Sequence, residues 1–152
     1  MEILYTDSRI AVCVKPAGVL STDEPGGMPE LLRQALGEGK DGCVRVVHRL
    51  DRPVGGVMVF ARSRMADSLL SGQVQRREFE KEYLAVIEGI LPEKTGLLED
   101  WLLRDRLTRK TVAVPQPGPE TRPAALKFEV LAEKAGRSLV RVRLLTGRTH
   151  QI

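Results

Sequence analysis

The chain has 152 residues, 42% of them hydrophobic and 29% charged, the balance of a folded domain with its own core and not of a disordered segment. Lys and Arg outnumber Asp and Glu by 24 to 20, and the resulting charge of +4 favours an anionic partner, although ordinary basic surfaces show the same excess. No apolar run approaches the ~18 residues of a membrane span, and "MEILYTDSRI" lacks the basic start and apolar stretch of a signal sequence. The expected location is therefore the cytoplasm, with no membrane partner.

In chain order, "EILY" and "IAVCV" read as the first two strands, with Cys13 a small core residue. Cys13, Cys43, His48 and His150 show neither C-x-x-C nor H-x-x-x-H spacing, so no metal is expected. "MPELLRQAL" reads as a helix after a Pro and Gly turn. Next, "HRLDRPVGGVMVF" crowds His48, Arg49 and Asp51 ahead of a proline, two glycines and the apolar strand "GVMVFA". Charges beside a core strand imply an ion pair or a task, because burying one uncompensated costs several kcal/mol or more. Arg49 with Asp51 as a structural ion pair, and His48 as a structural hydrogen-bonding residue, both stay open on the residues alone.

Beyond it, "SRMADSLLSGQVQRR" reads as a helix with Ser63 as N-cap and Met65, Leu69, Leu70 and Val74 along one stripe, weakened by Gly72. "EYLAVIEG" and "TVAV" read as strands and "VPQPGPETRP" as a surface loop. "LKFEVLAEKAGRSLVRVRLL" reads as a hairpin turning at Gly136, its second strand placing Val140, Val142 and Leu144 on one face and Arg141 and Arg143 on the other. Short strands dominate and helices are few, which predicts a largely antiparallel sheet as the spine.

Several enzyme designs are excluded by spacing. "HRLD" is not the H-R-D of a protein kinase, since Leu50 intervenes and no D-F-G or G-x-G-x-x-G is present. A G-x-S-x-G elbow and a P-loop are also absent.

Four separated motifs remain: "KPAGVL" at Lys15, "HRLD" at His48, "FEKEYLAVIEG" around Tyr83 and "LLTGRTHQI" at the end. In this order they resemble the RluA-type pseudouridine synthases over nearly the whole chain. The resemblance implies an α+β pseudouridine synthase fold, a mixed and mostly antiparallel sheet with flanking helices and an RNA-binding cleft. It also implies isomerisation of uridine to pseudouridine in ribosomal or transfer RNA, with no cofactor. By the same resemblance Asp51 is the catalytic aspartate, Arg49 enters the RNA stack vacated by the flipped nucleotide with His48 beside it, Tyr83 packs on the uracil, and Arg148 pairs with Asp51. Lys15, Pro16 and Gly18 are expected to form a structural loop near the site.

Two departures from the family pattern stand out. Val54 and Gly55 occupy positions where many members carry Thr and Ser, and the chain ends inside the final motif, as a C-terminally truncated catalytic domain of residues 1–152 would. With no S4-type domain in the sequence, RNA contacts are expected from "RDRLTRK" and from Arg141 and Arg143, acting in a monomer. The competing expectations are a non-catalytic RNA-binding protein that keeps the fold, and a purely structural fragment.

Overall fold

Two antiparallel sheets carry the chain. The computed structural model describes residues 1–105, 107–108 and 110–152, which divide into two units, Met1–Glu78 and Phe79–Ile152.

The first unit holds β1 (Glu2–Thr6), β2 (Ile10–Lys15), α1 (Met28–Ala35), β3 (Arg45–Val46), β4 (Gly56–Ala61) and α2 (Arg64–Gln75), with the strands ordered β1-β2-β4-β3. Alternation decides which face of this sheet is covered. Ala11, Cys13 and Lys15 of β2 lie opposite Phe60, Met58 and Gly56 of β4. Ala11, Cys13, Met58 and Phe60 form a core with Met28 and Leu32 of α1 and with Val44. The start of α1 is fixed by Gly27, where a Cβ would lie 2.1 Å from the Thr22 carbonyl oxygen.

The second helix is capped as its sequence predicts: the Ser63 hydroxyl accepts from the Ala66 N–H at 3.1 Å. Its buried stripe differs from the expectation, however. Met65 and Leu69 are exposed, while Ala66 and Leu70 pack against Val47, Ala61, Ile10 and Val59. A small residue at the closest contact lets the helix approach the sheet, and the longer side chains one position earlier turn to solvent.

The second unit holds β5 (Glu82–Glu88), β6 (Thr95–Arg104), β7 (Thr111–Val114), β8 (Thr121–Lys134) and β9 (Arg137–Leu144), ordered β5-β9-β8-β6-β7. The β8–β9 hairpin turns through Ala135 and Gly136, both at positive φ (49° and 72°), the backbone twist a two-residue hairpin favours. Registers place Tyr83, Val142, Phe128 and Gly96 in one row across β5, β9, β8 and β6. Gly96 is required there, since a Cβ would lie 2.5 Å from the Phe128 ring.

Part of the expected loop "VPQPGPETRP" is strand, because β8 begins at Thr121 and contains Arg122 and Pro123. Pro123 is tolerated because its nitrogen lies on the side of β8 away from β6. Ala125, two residues on, turns its own N–H and carbonyl to that side, where Thr146 and Leu145 bond them.

Candidate functional site

Asp51 is built on a clamp. The segment from Leu50 to Gly55 is closed on itself by the Val54 N–H donating to the Asp51 carbonyl at 3.0 Å, and is then tied to the "KPAGVLS" segment 29 to 37 positions earlier in the chain. The Gly18 N–H donates to the Arg52 carbonyl at 2.7 Å, and the Arg52 Nε donates back to the Gly18 carbonyl at 2.9 Å. The Ser21 hydroxyl donates to the Leu50 carbonyl at 2.7 Å and accepts the Leu50 N–H at 3.1 Å. The glycines permit this approach: Gly18 sits at φ 87°, and a Cβ on Gly55 would lie 3.4 Å from the Lys15 carbonyl oxygen.

Lys15 completes the clamp. It is fully buried at the end of β2, and its ammonium donates to the carbonyls of Val19 at 2.7 Å, Pro16 at 3.0 Å and Arg52 at 3.2 Å. Burial lowers its pKa below the usual lysine value, and the negative charge of Asp51 partly restores it. A cation therefore stands within electrostatic reach of the carboxylate while holding the carbonyl of the next residue, Arg52. Gly56, opposite Lys15 on β4, sits at φ 153°, and a Cβ there would lie 3.4 Å from the Leu50 side chain. Sequence reasoning took Lys15 for part of a loop. The signal that places it inside is its phase, since it continues the inward series Ala11, Cys13.

Arg49 and Asp51 are both exposed, and they do not form the structural ion pair that remained open on sequence alone. Arg49 makes no hydrogen bond or ion pair among the described residues. His48 is committed differently: its Nε2 accepts the Val59 N–H at 3.1 Å, which fixes that nitrogen as the unprotonated one and ties the ring to β4. The structure thus gives His48 a scaffold role at that nitrogen and leaves Arg49 exposed, without a partner among the described residues.

In the second unit, Tyr83 is half-buried on the face of its sheet that carries Val142 and Phe128. Arg141 and Arg143 lie on the opposite face and are already engaged. Arg141 pairs with Glu129 at 2.9 Å and with Glu82 at 3.5 Å, and Arg143 pairs with Glu80. Of the "RDRLTRK" segment, Arg106 and Arg109 lie outside the described residues, whereas Arg104 ends β6.

The final motif folds onto β8. Thr146 and Gln151 bracket Ala125: the Ala125 N–H donates to the Thr146 hydroxyl at 2.9 Å, and Gln151 Nε2 donates to the Ala125 carbonyl at 3.1 Å. The Gln151 side-chain oxygen accepts both the Thr146 hydroxyl and the Arg148 N–H at 2.9 Å. Arg148 is oriented from both ends, because its Nε also donates to the Pro123 carbonyl at 2.9 Å. A guanidinium held by its inner nitrogen presents its two outer nitrogens as a fork. Among the described residues there is no group of three or more His, Cys, Asp or Glu arranged to hold a metal ion.

These are the residues that the RluA-type motifs single out, and comparison with known proteins tests the likeness. The family model for RNA pseudouridylate synthase matches residues 9–152. The chain belongs to this family, in its RluA-type branch. It is 35% identical over 161 residues to the "Dual-specificity RNA pseudouridine synthase RluA" of Haemophilus influenzae, an alignment covering all of this chain and 69% of that protein. It is also 35% identical to the "Uncharacterized RNA pseudouridine synthase YhcT" of Bacillus subtilis, covering 52% of it, and to the "Ribosomal large subunit pseudouridine synthase C" of Salmonella typhi, covering 47% of it. The chain thus spans about half the length of several curated relatives it matches. Two solved human structures, of RNA pseudouridylate synthase domain containing 4 and 1, share the fold with TM-scores of 0.82 and 0.84 at 23% and 22% identity, each over 99% of this chain and 61% of theirs. The α+β pseudouridine synthase fold is therefore established. Its spine consists of two antiparallel sheets with two helices packed in the first unit.

Proposed function

We propose that this protein isomerises uridine to pseudouridine in structured RNA. In that reaction the bond from the ribose C1′ to the uracil N1 breaks, the base turns, and C1′ joins C5. The base loses a proton at C5 and gains one at N1, so atoms and electrons balance without a cofactor. Asp51 acts at the reacting nucleotide, either as a nucleophile that later departs or as a base at the sugar, and a carboxylate is suited to both. The uridine must first leave its stack, at a cost of a few kcal/mol. Arg49, a planar cation without a partner among the described residues, fills the gap by stacking and reaches phosphate at the same time. Tyr83 packs on the flipped uracil, a contact worth about 1–3 kcal/mol. Arg148, its outer nitrogens left as a fork, is the cation that the RluA-type motif assigns to the reaction.

The observation that carries this reading is the clamp under Asp51. A fully buried lysine and a buried serine are committed to holding one exposed loop, which presents an arginine unpaired among the described residues two positions from a carboxylate. Preorganisation of this kind is what positioning a reacting group requires. The names of the relatives favour ribosomal or transfer RNA as the substrate class. The test is to map pseudouridines in total RNA from cells with and without the gene. At least one ribosomal or transfer RNA pseudouridine should disappear in its absence. An unchanged map would leave RNA binding without chemistry as the better account.

A further inference from the structure

Strand alternation puts a second set of basic residues on the face of the second sheet that bears Tyr83. Leu102 of β6 pairs with Arg122 of β8, and Arg104 of β6 pairs with Thr111 of β7. Counting by twos along β6 from Gly96, and along β8 back from Phe128, places Arg104, Thr111 and Arg122 on the face of the row that begins at Tyr83. Arg104 and Arg122 are diagonal neighbours across the β6–β8 pair. With Leu102, Gly147, Arg148 and Thr149 they line a groove of about 250 Å³.

Positive charge predominates among the described residues of this groove. Three guanidinium groups face one carboxylate, that of Glu120. Arg104 and Arg122 make no hydrogen bond or ion pair among the described residues, in contrast to Arg141 and Arg143 on the opposite face. The Thr111 hydroxyl is shielded from solvent and has no hydrogen-bond partner among the described residues, and leaving such a group unsatisfied is costly. Asp100 is on the same face of β6 but is not part of the lining. Neighbouring arginines without an ion pair among the described residues, beside a hydroxyl with no partner among them, make a receptor for a small oxyanion. Arginine forks match phosphate geometry in two parallel hydrogen bonds.

We propose that this groove binds a phosphate of the RNA backbone outside the target nucleotide, with Arg104 and Arg122 as its ligands and Thr111 as an additional donor. The proposal rests on the RNA-modifying reading above and extends it to a substrate-binding subsite. Arg122 lies six positions along β8 from Phe128 in the Tyr83 row, about 20 Å along the strand. The phosphate is therefore held at a distance from the Tyr83 row. Its role is to fix the register of the RNA, since phosphate contacts position the nucleic acid without reading its sequence.

The test is binding of an unmodified transcript of large-subunit ribosomal RNA, measured across a salt series with the intact protein and with Arg104→Gln/Arg122→Gln. The double variant should bind about tenfold more weakly at low salt, and the slope of log affinity against log salt should flatten by about 0.7–0.9, the value for one lost phosphate contact. In single-turnover reactions at saturating RNA the rate should match wild type, so that the loss appears in KM and not in kcat. Arg141→Gln/Arg143→Gln should leave the slope unchanged, because those charges are already paired. Circular dichroism and melting of each variant exclude misfolding, and Arg104→Lys/Arg122→Lys should recover most of the slope but only part of the affinity. Wild-type slope and affinity in the Gln variant would overturn the proposal, as would failure of the wild-type protein to bind the transcript. A flattened slope in a protein that forms no pseudouridine would support the groove while refuting the enzymatic reading, so the two failures are distinguishable.

Discussion

Replacing Lys15 by Met keeps the stem that fills the end of the first sheet and removes only the ammonium. Three carbonyls then lose a donor, but not equally. The Arg52 carbonyl keeps the Gly18 N–H at 2.7 Å, whereas those of Pro16 and Val19 are left with no other hydrogen bond among the described residues. An unsatisfied acceptor costs about 1–3 kcal/mol where water cannot reach it; Pro16 is exposed and Val19 half-buried, so most of the loss falls at Val19. Part of this is returned, because Met spares the cost of holding a cation out of water, the cost that lowers the lysine pKa. The net loss expected is about 1–2 kcal/mol, which for a chain of this size lowers the melting temperature by roughly 3–6 °C. The loop carrying Asp51 also loses its central tie, and a displacement of about 1 Å at a reacting group can reduce the rate on the order of a hundredfold. Thermal melting followed by circular dichroism, together with pseudouridine formation measured well below the melting temperature, checks both effects. A variant melting within about 2 °C of wild type and retaining full activity would refute the clamp.

Other outcomes follow from particular contacts. Tyr83→Phe keeps the ring on its face of the sheet and should retain RNA binding; a loss of turnover would assign a proton transfer to the hydroxyl, and full turnover would assign packing alone. Burial pushes the Cys13 thiol up to about 11, so at pH 8 iodoacetamide should label the partly exposed Cys43 first and Cys13 only after unfolding; equal labelling rates in the native protein would contradict the packing of β2. Gly27→Ala forces a Cβ against the Thr22 carbonyl oxygen at 2.1 Å, so the melting temperature should fall by several degrees, and an unchanged value would show that the start of α1 shifts freely.

Most strands were legible because their patterns repeat a simple period. "IAVCVK" and "GVMVFA" alternate or run apolar over strand lengths, and the β8–β9 hairpin has its glycine where the turn needs positive φ. The strand β6 was missed for a physical reason: "TGLLEDWLLR" carries apolar pairs at Leu97–Leu98 and Leu102–Leu103, which point to both faces and show no alternation. Its conformation is set by pairing with β7 and β8, and pairing across the sheet overrides local preference. Likewise the inner stripe of α2 is decided by the small Ala66 at the sheet contact, not by the longest apolar residues.

At the site, sequence motifs were enough to single out Arg49, Asp51, Tyr83 and Arg148 as residues to examine. What they could not show is what holds these residues. The Lys15 contact to Arg52 spans 37 positions, and the turn that orients Arg148 depends on the backbone of β8 at Pro123 and Ala125. Such contacts exist only once the strands are in register. The division between paired and unpaired arginines was hidden for the same reason: Arg141 and Arg122 are equivalent in composition, and only the position of Glu82 and Glu129 beside the first neutralises it.

The central claim is that the Asp51 carboxylate performs the reaction on a loop the fold has made rigid. Asp51→Asn changes one oxygen to a nitrogen at an exposed position and leaves the clamp of Lys15, Ser21 and Arg52 intact, because those residues hold backbone carbonyls and not the Asp51 side chain. The decisive measurement is pseudouridine formed per protein molecule on RNA from cells lacking the gene, for wild type and Asp51→Asn side by side, with melting and RNA affinity recorded for both. The expected result is turnover by wild type and none detectable for the variant, at equal melting temperature and closely similar affinity. Equal turnover by the two proteins would contradict the account.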